Sequence, residues 1–261
     1  MTILLLGGTG YLGSNIATRL VKDGCDVICI VRPTTNVSRL DRISGNKKIR
    51  LISNDAWQIK LVLRQEKIDW VINCACIYKP NDSLYGDMLE GNIVFPLLAI
   101  NYALQYGVKN FITIGTSLPS DINAYSFTKS KLSEFGKFFA ENNGVRFIEL
   151  RLEMFYGGED EPDNRFIKNC AEKLRVGETL LLTEGTQRRD IVRVEDVLEI
   201  VTRLLSSGFG QGYKILPIGS GEAHSIRDIV IFMKEIMNST SDLKFGAIPS
   251  RVGEPDTIAD I

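Results

Sequence analysis

Short, continuous apolar runs alternate with longer amphipathic segments along the first 150 residues. Continuous runs rich in β-branched residues predict strands that are buried on both faces, at residues 2–6, 27–31, 49–52, 70–73, 111–114 and 147–150. Segments with apolar residues three and four apart predict helices at residues 11–23, 56–66, 88–106 and 123–142. This alternation, with right-handed crossovers, predicts an α/β fold with a doubly wound parallel sheet.

The first predicted strand ends in a glycine-rich turn, Gly7-Gly8-Thr9-Gly10-Tyr11-Leu12-Gly13. In this G-x-x-G-x-x-G variant of the dinucleotide motif, Gly7 would allow the tight turn and Gly10 would let a ligand approach the backbone. Gly13 would let helix and strand pack closely. The backbone amides that start the following helix, including those of Tyr11 and Leu12, lack partners and would bind a diphosphate. The turn therefore predicts a Rossmann dinucleotide site, the alternative being a purely structural turn.

The pattern changes after Leu150. A polar loop at residues 157–163 precedes a helix predicted at 165–176 and shorter mixed elements. We therefore expect a dinucleotide-binding domain at residues 1–150 and a smaller C-terminal substrate lobe at residues 151–261.

Composition excludes several other classes of function. The chain has 261 residues, a formal net charge of -1 and no block of like charge, so neither nucleic acid nor a membrane is an expected partner. Its apolar runs are too short to span a membrane, and no basic region precedes the first one, which favours a cytoplasmic protein. Five cysteines and one histidine, His224, do not predict a metal site, and we expect reduced, mostly buried thiols.

A second motif, Tyr125-x-x-x-Lys129, lies on the predicted helix that follows the fifth strand. Residues four apart share one helix face, and a neighbouring ammonium stabilises the phenolate, so Tyr125 is a candidate general acid or base. Thr116 and Ser117 directly follow the fifth strand, at the sheet edge where ligands of open α/β folds bind. Either hydroxyl could hold a substrate oxygen beside Tyr125, whereas an isolated Tyr–Lys pair would be an ordinary surface feature.

Together, the glycine turn and Tyr125-x-x-x-Lys129 resemble the extended short-chain dehydrogenase/reductase family, in its nucleotide-sugar epimerase, dehydratase and ketoreductase branch. The resemblance covers nearly the whole chain, with the motifs in the family's order. Segments 151–157, 189–197 and 251–254 look most similar to the abequose and paratose synthases, reductases that complete dideoxyhexoses on a cytidine diphosphate carrier.

The resemblance implies roles for further residues of the first domain. Asp55 looks like the adenine contact, Ala75 like part of the cofactor wall, and Asn92 like the family's helix asparagine. Lys129 would bind the nicotinamide ribose, and Ser117 would orient the substrate oxygen.

In the second lobe, the resemblance implies that Arg189 and Arg251 hold the diphosphate of a nucleotide sugar, since forked guanidinium groups suit phosphate oxygens. The alternative for each arginine is a salt bridge, which for Arg189 is suggested by the adjacent Asp190.

The end of the second strand predicts the cofactor. NAD enzymes usually carry an acidic residue there, which accepts from the ribose 2′-hydroxyl, but this chain has Val31 followed by Arg32. A 2′-phosphate would meet the cation of Arg32, assisted by Ser38 and Arg39. The sequence therefore predicts NADPH, and NAD stays possible if Arg32 only stacks on adenine or is solvated.

The expected function is an NADPH-dependent reductase of a nucleoside-diphosphate 4-keto-6-deoxyhexose, or 3,6-dideoxyhexose, at C4. An NAD-dependent nucleotide-sugar 4-epimerase, which needs the same Tyr125 and Lys129, is the alternative. A non-catalytic NADP(H)-binding sensor or scaffold is an alternative of another class. Dehydration is not expected, because Thr116-Ser117-Leu118 stands where the family's dehydratases have Thr-Asp-Glu.

Two features differ from the family's pattern. Only seven residues separate Ser117 from Tyr125, fewer than in relatives, so Thr116 stays open as the hydroxyl partner. The second lobe is expected to be short at its C-terminus, either minimal or truncated. The resemblance also implies a homodimer through the helices at 88–106 and 123–142.

Overall fold

The computed structural model describes residues 1–78, 85–207, 210–250 and 253–261. The chain divides into two compact units, of which the first comprises residues 1–151 and 196–216 and the second residues 152–195 and 217–261. The first unit is interrupted after residue 151, close to the expected boundary at residue 150. The chain differs from the expected contiguous division because residues 196–216 return to the first unit.

A seven-stranded sheet forms the centre of the first unit, in the order β10-β6-β5-β4-β1-β2-β3. Its strands are β1 (Thr2–Leu6), β2 (Asp26–Val31), β3 (Ile49–Ser53), β4 (Trp70–Asn73), β5 (Asn110–Thr116), β6 (Arg146–Leu152) and β10 (Gly212–Ile218). Strand β1 pairs in parallel with both β2 and β4, so that Ile3 lies opposite Val27 on one side and Trp70 on the other. The predicted α/β fold with a doubly wound parallel sheet is confirmed.

The helices, in chain order, are α1 (Tyr11–Lys22), α2 (Ala56–Gln65), α3 (Tyr85–Leu89), α4 (Phe95–Gln105), α5 (Ala124–Asn143), α6 (Phe166–Arg175), α7 (Val194–Ser206) and α8 (Ile226–Ile236). A 3₁₀ helix, Ser38–Ile43, lies between β2 and β3. Apolar residues of the sheet and of its helices form one buried cluster, which includes Leu4, Ile28, Val71, Ala99 and Phe147.

The helix predicted over residues 88–106 is interrupted. A π-helical turn, Glu90–Val94, separates α3 from α4. Pro96 explains the interruption, because proline lacks an N–H donor and its ring would clash with the carbonyl of Asn92 in a regular α-helix. The wider turn accommodates this proline and contains the buried Asn92.

The second unit contains two small sheets and its own apolar core. Its strands are β7 (Met154–Tyr156), β8 (Leu180–Leu181), β9 (Arg188–Arg193), β11 (Ala223–Ser225) and β12 (Leu243–Lys244), in the orders β11-β9-β7 and β12-β8. Buried side chains of α6 and α8, such as Leu174 and Val230, pack with Leu180. The helix predicted at 165–176 is α6, with Arg165 at its N-cap.

All five cysteines are free thiols. Burial raises the pKa of Cys29 and of Cys74 to about 12, which keeps both thiols protonated and suits packing residues. The expectation of mostly buried thiols is met by Cys29 and Cys170 only, since Cys25 and Cys74 are half-buried and Cys76 is exposed. Within the described residues, no group of His, Cys, Asp and Glu could hold a metal ion. In the same part of the chain, every helix is too short or too polar to cross a membrane.

Candidate active site

The glycine-rich turn between β1 and α1 forms a cradle that side chains would fill. Gly7 has a φ of +72°, and a Cβ on it would lie 2.6 Å from the backbone nitrogen of Ala75. A Cβ on Gly13 would lie 2.2 Å from the carbonyl oxygen of Gly7, and one on Gly10 would lie 3.3 Å from that oxygen. Helix α1 therefore packs directly on the turn, and glycine at these positions keeps the cradle open.

Backbone donors at the start of α1 face this cradle. The amides of Leu12 and Gly13 have no acceptor among the described residues. Gly10, the N-cap, offers no side chain to them, and the first turn has no acidic residue. The side chains of Tyr11 and Leu12 are buried, which leaves the backbone as the surface for a ligand. Free amides at the positive end of a helix attract a diphosphate, so the cradle fits a dinucleotide cofactor.

Tyr125 lies in the first turn of α5, and a capping box determines where this helix begins. The Asn123 side chain accepts from the Ser126 amide at 2.9 Å, while the Ser126 hydroxyl accepts from the Asn123 amide at 3.3 Å. Tyr125 is half-buried, so its side chain is partly open to solvent.

Lys129 follows one turn later and is buried. Its Nζ donates to the carbonyl oxygen of Ile114 at 2.9 Å and to that of Ala75 at 3.4 Å. Ile114 lies in β5 and Ala75 follows β4, so the ammonium lies at the carboxyl ends of two neighbouring strands. Ala75 thereby joins the two predicted motifs, since its nitrogen borders the glycine cradle and its carbonyl binds Lys129.

Asn92 links the segment after β4 to helix α5. Its Oδ1 accepts from the Ile77 amide at 2.6 Å, and its Nδ2 donates to the Ile77 carbonyl and to Thr128 Oγ1, each at 3.0 Å. Both amide hydrogens of Asn92 thus have protein acceptors. The structure gives Asn92 a positioning role, and its direct contact with a cofactor stays a prediction.

Asp55 is the N-cap of α2. Its Oδ1 accepts from the amides of Trp57 and Gln58 at 2.7 and 3.1 Å. Its Oδ2 has no hydrogen bond from the described residues. The predicted adenine contact would use that second oxygen and stays a prediction.

The two candidate hydroxyls lie where β5 ends. Thr116 and Ser117 are both half-buried. Thr116 Oγ1 accepts from the Leu118 amide at 3.3 Å, a bond that leaves the hydroxyl hydrogen available. The choice between them as the partner of Tyr125 stays open.

Two of the three arginines between β2 and β3 are candidates to bind a cofactor phosphate. Arg32 is exposed, and Arg39 of the 3₁₀ helix is half-buried. The Nε of Arg39 is buried without a hydrogen-bond partner among the described residues. A buried donor without a partner is unfavourable, and an anionic acceptor that bound to it would form a strong, charge-assisted hydrogen bond.

Arg189 of β9 is buried and has acceptors in its own unit. Its Nη2 lies 2.7 Å from Glu254 Oε1, and its Nη1 donates to the carbonyls of Arg188, at 2.8 Å, and of Pro255. An internal salt bridge is therefore present, with Glu254 instead of Asp190 as the partner. The predicted contact of Arg189 with a diphosphate stays a prediction, and Arg251 lies outside the described residues.

The Asp190 carboxylate faces other partners. It accepts from the amides of Ser220, Gly221 and Ala259 at 2.7, 3.0 and 3.2 Å. These bonds involve both of its oxygens, and as neighbours on β9 Asp190 and Arg189 lie on opposite faces of the strand.

Three contacts in the first unit were not predicted. The ring of Tyr78 packs against that of Tyr125, with 4.9 Å between the centroids. On β6, the buried Glu149 accepts from Tyr213 and from Ser133. Burial and, second, the hydrogen bond to Glu149 raise the pKa of Tyr213. The only sign of Tyr78 in the sequence is that an aromatic residue follows shortly after a predicted strand. Nothing in the sequence indicates the contacts of Glu149.

Comparisons with known proteins identify a family and relatives. A model of the NAD dependent epimerase/dehydratase family matches residues 3–219. CDP-abequose synthase of Salmonella muenchen is 24% identical over 259 residues, spanning 97% of this chain and 86% of that protein. UDP-glucose 4-epimerase of Lactobacillus helveticus is 25% identical over 296 residues, spanning 99% and 88%.

Solved structures show the same fold. The UDP-glucuronic acid 4-epimerase of Bacillus cereus, in complex with UDP-glucuronic acid and NAD, superposes with a TM-score of 0.84 at 23% identity. The match covers 100% of this chain and 90% of that one.

Proposed function

Because this chain belongs to the NAD dependent epimerase/dehydratase family, we propose that it reduces the C4 carbonyl of a nucleoside-diphosphate 4-keto-6-deoxyhexose, or 3,6-dideoxyhexose, with NADPH. The chain is an NAD(P)-dependent enzyme that acts on a nucleotide sugar. Its similarity over 97% of its length to a CDP-abequose synthase supports the more specific reaction. The observation that supports an active site here is the double role of Ala75, whose nitrogen borders the glycine cradle and whose carbonyl accepts from Lys129.

The cofactor would lie over the cradle. The amides of Tyr11, Leu12 and Gly13 would bind its diphosphate, and Lys129 would bind the nicotinamide ribose while keeping its bonds to Ile114 and Ala75. When bound, NADPH supplies the hydride that reduces a carbonyl carbon.

Tyr125 would give its phenol proton to the carbonyl oxygen as the C4 hydroxyl forms. The buried ammonium of Lys129, one turn away on the same helix face, would stabilise the resulting phenolate. The hydroxyl of Ser117 or Thr116 would orient the carbonyl oxygen beside the phenol.

We infer a preference for NADPH over NADH. Val31 offers no carboxylate to a ribose 2′-hydroxyl, and Arg32 is exposed beside it. The unpartnered Nε of Arg39 supplies a second donor for a 2′-phosphate.

Arg251 and Arg189 are the candidates for the diphosphate of the sugar nucleotide. Arg189 would have to bind phosphate with the N–H groups that Glu254, Arg188 and Pro255 leave available. Its first role is therefore to hold the segment around residue 254, and a phosphate contact would be additional.

We also infer a homodimer. Helices α4 and α5 belong to a compact unit but expose several large apolar side chains. These side chains, each 43–57% exposed, are Leu98, Phe127, Phe135 and Phe138. Such apolar surface is typical of an interface between subunits. A monomer by light scattering at micromolar concentration would contradict this inference.

The 4-epimerase is the second candidate, favoured by the similarity to UDP-glucose 4-epimerase over 99% of the chain. An epimerase would retain NAD through purification and would need no added cofactor, whereas a reductase consumes NADPH in proportion to product.

The test is incubation of the protein and NADPH with CDP-, dTDP-, UDP- and GDP-4-keto-6-deoxyhexoses, including the CDP-linked 3,6-dideoxy substrate. We expect loss of nicotinamide absorbance with one carrier and a C4 alcohol as the product. Turnover of a nucleotide hexose without added cofactor would identify the epimerase instead. NADPH binding with no turnover on any substrate would favour a sensor or scaffold.

A further inference from the structure

The ring of Tyr78 packs against the ring of Tyr125, the proposed proton donor. The ring centroids of Tyr78 and Tyr125 are 4.9 Å apart, and the planes meet at 57°. This separation lies in the range of favourable aromatic pairs. Because Tyr78 is 58% exposed, burial in the core does not explain its position.

The backbone that leads into Tyr78 is fixed at Ile77. Asn92 accepts from the Ile77 amide and donates to the Ile77 carbonyl. A Cβ on Gly91 would lie 2.7 Å from Ile77 Cδ1, so a glycine in the π-helical turn lets Ile77 settle there. The segment at residues 74–78 therefore has a defined place, from which Tyr78 projects.

The backbone of Tyr125 is fixed by the same asparagine. Thr128 Oγ1 donates to the Tyr125 carbonyl at 2.8 Å and accepts from Asn92 Nδ2 at 3.0 Å. The bonds of Asn92 therefore link Ile77 to the turn of α5 that carries Tyr125. The contact between the two rings limits rotation of the Tyr125 ring.

We propose that Tyr78 is a positioning residue, which holds the phenol of Tyr125 at the angle at which it donates its proton. The effect depends on the ring of Tyr78 and not on its hydroxyl. The catalytic consequence rests on the proposed reductase function, but the restraint on Tyr125 does not.

The restraint can be measured without catalysis. Protein labelled with 3-fluorotyrosine gives one ¹⁹F resonance for each of its eight tyrosines. The resonance of Tyr125 is the one that disappears in Tyr125→Phe. We expect that resonance to stay sharp in Tyr78→Phe and to broaden or split in Tyr78→Leu. The matched control is Tyr106→Leu, an exposed tyrosine after α4, which should leave it unchanged. A sharp, unshifted Tyr125 resonance in Tyr78→Leu would overturn the proposal.

Kinetics test the consequence on the carrier that supports turnover. Tyr78→Leu should lower kcat by about tenfold to a hundredfold, because a small misplacement of a reacting group has an effect of that size, and should leave the KM for NADPH within about twofold. Tyr78→Phe should restore kcat. Equal kcat in all three proteins would contradict the positioning role. If the wild-type protein turns over no substrate, the proposed function fails, and the NMR result still decides the role of Tyr78.

Discussion

Lys129 donates a hydrogen bond from Nζ to the carbonyl oxygen of Ile114 at 2.9 Å. The bond joins the helix that carries Tyr125 to the carboxyl end of β5. A second, longer bond to Ala75 reaches the chain after β4, against the glycine turn. One buried ammonium therefore connects the two motifs that are more than a hundred residues apart in the sequence.

Replacing Gly13 by alanine should damage both the fold and the cradle. Its Cβ would lie 2.2 Å from the Gly7 carbonyl oxygen, so α1 would have to move. We expect a loss of about 1–3 kcal/mol in the free energy of unfolding and NADPH binding weaker by about tenfold or more. Denaturant unfolding and fluorescence titration measure the two effects. Gly45→Ala, with no atom within 4 Å of its Cβ, should change neither, and equal behaviour of the two variants would refute the cradle.

Removing either arginine of the proposed 2′-phosphate site should change cofactor selectivity. We expect Arg32→Ala and Arg39→Ala each to weaken NADPH binding about tenfold, the effect of one charge-assisted hydrogen bond, and to leave NADH binding unchanged. Calorimetric titration with both cofactors provides the comparison. Arg19→Ala, which removes a cation already paired with Asp23 at 2.7 Å, serves as the control. A wild-type preference for NADH would contradict this assignment.

Local sequence patterns were sufficient for the first half of the fold. The six predicted strands from β1 to β6 lie within two residues of their ends in the structure, because continuous apolar runs mark strands. The expected burial on both faces is wrong for β3, which lies at the edge of the sheet and exposes Arg50 and Leu51. The glycine turn and Tyr125-x-x-x-Lys129 were recognisable because each is a short, contiguous pattern.

Long-range contacts were not accessible in the same way. Nothing near Arg189 indicates that its carboxylate partner is Glu254, 65 residues later. The return of residues 196–216 to the first unit depends on β10 lying beside β6, a pairing that periodicity does not encode. The place of Tyr78 against Tyr125 likewise depends on the bonds that Asn92 makes to Ile77.

Loss of the Arg189 side chain should destabilise the protein. In Arg189→Met, Glu254 loses its cation and the carbonyl of Pro255 loses a donor. We expect the free energy of unfolding to fall by about 1–3 kcal/mol. Arg203→Met removes an exposed pair with Glu199 and should have little effect. If the two variants unfold alike, Arg189 is not a structural clamp, and its role at a diphosphate becomes the stronger interpretation.

Alkaline pH should destabilise the protein in part through Tyr213. Burial and the carboxylate of Glu149 raise the pKa of Tyr213, so the folded state retains a proton that the unfolded state releases above about pH 10. The contribution of Tyr213 to the free energy of unfolding is therefore complete below about pH 10 and is lost as the pH rises further. Unfolding measured from about pH 8 to pH 11 should show a steeper decline for wild type than for Tyr213→Phe. Parallel curves would show that Tyr213 does not contribute.

The most direct measurement is the turnover of Tyr125→Phe beside its affinity for NADPH. On the ketosugar nucleotide that wild type reduces, we expect kcat to fall by about a hundredfold to ten-thousandfold, since only the proton donor is removed. The Kd for NADPH should stay within about twofold, because the cradle is unchanged. Turnover of Tyr125→Phe at the wild-type rate would contradict the proposed role of the phenol.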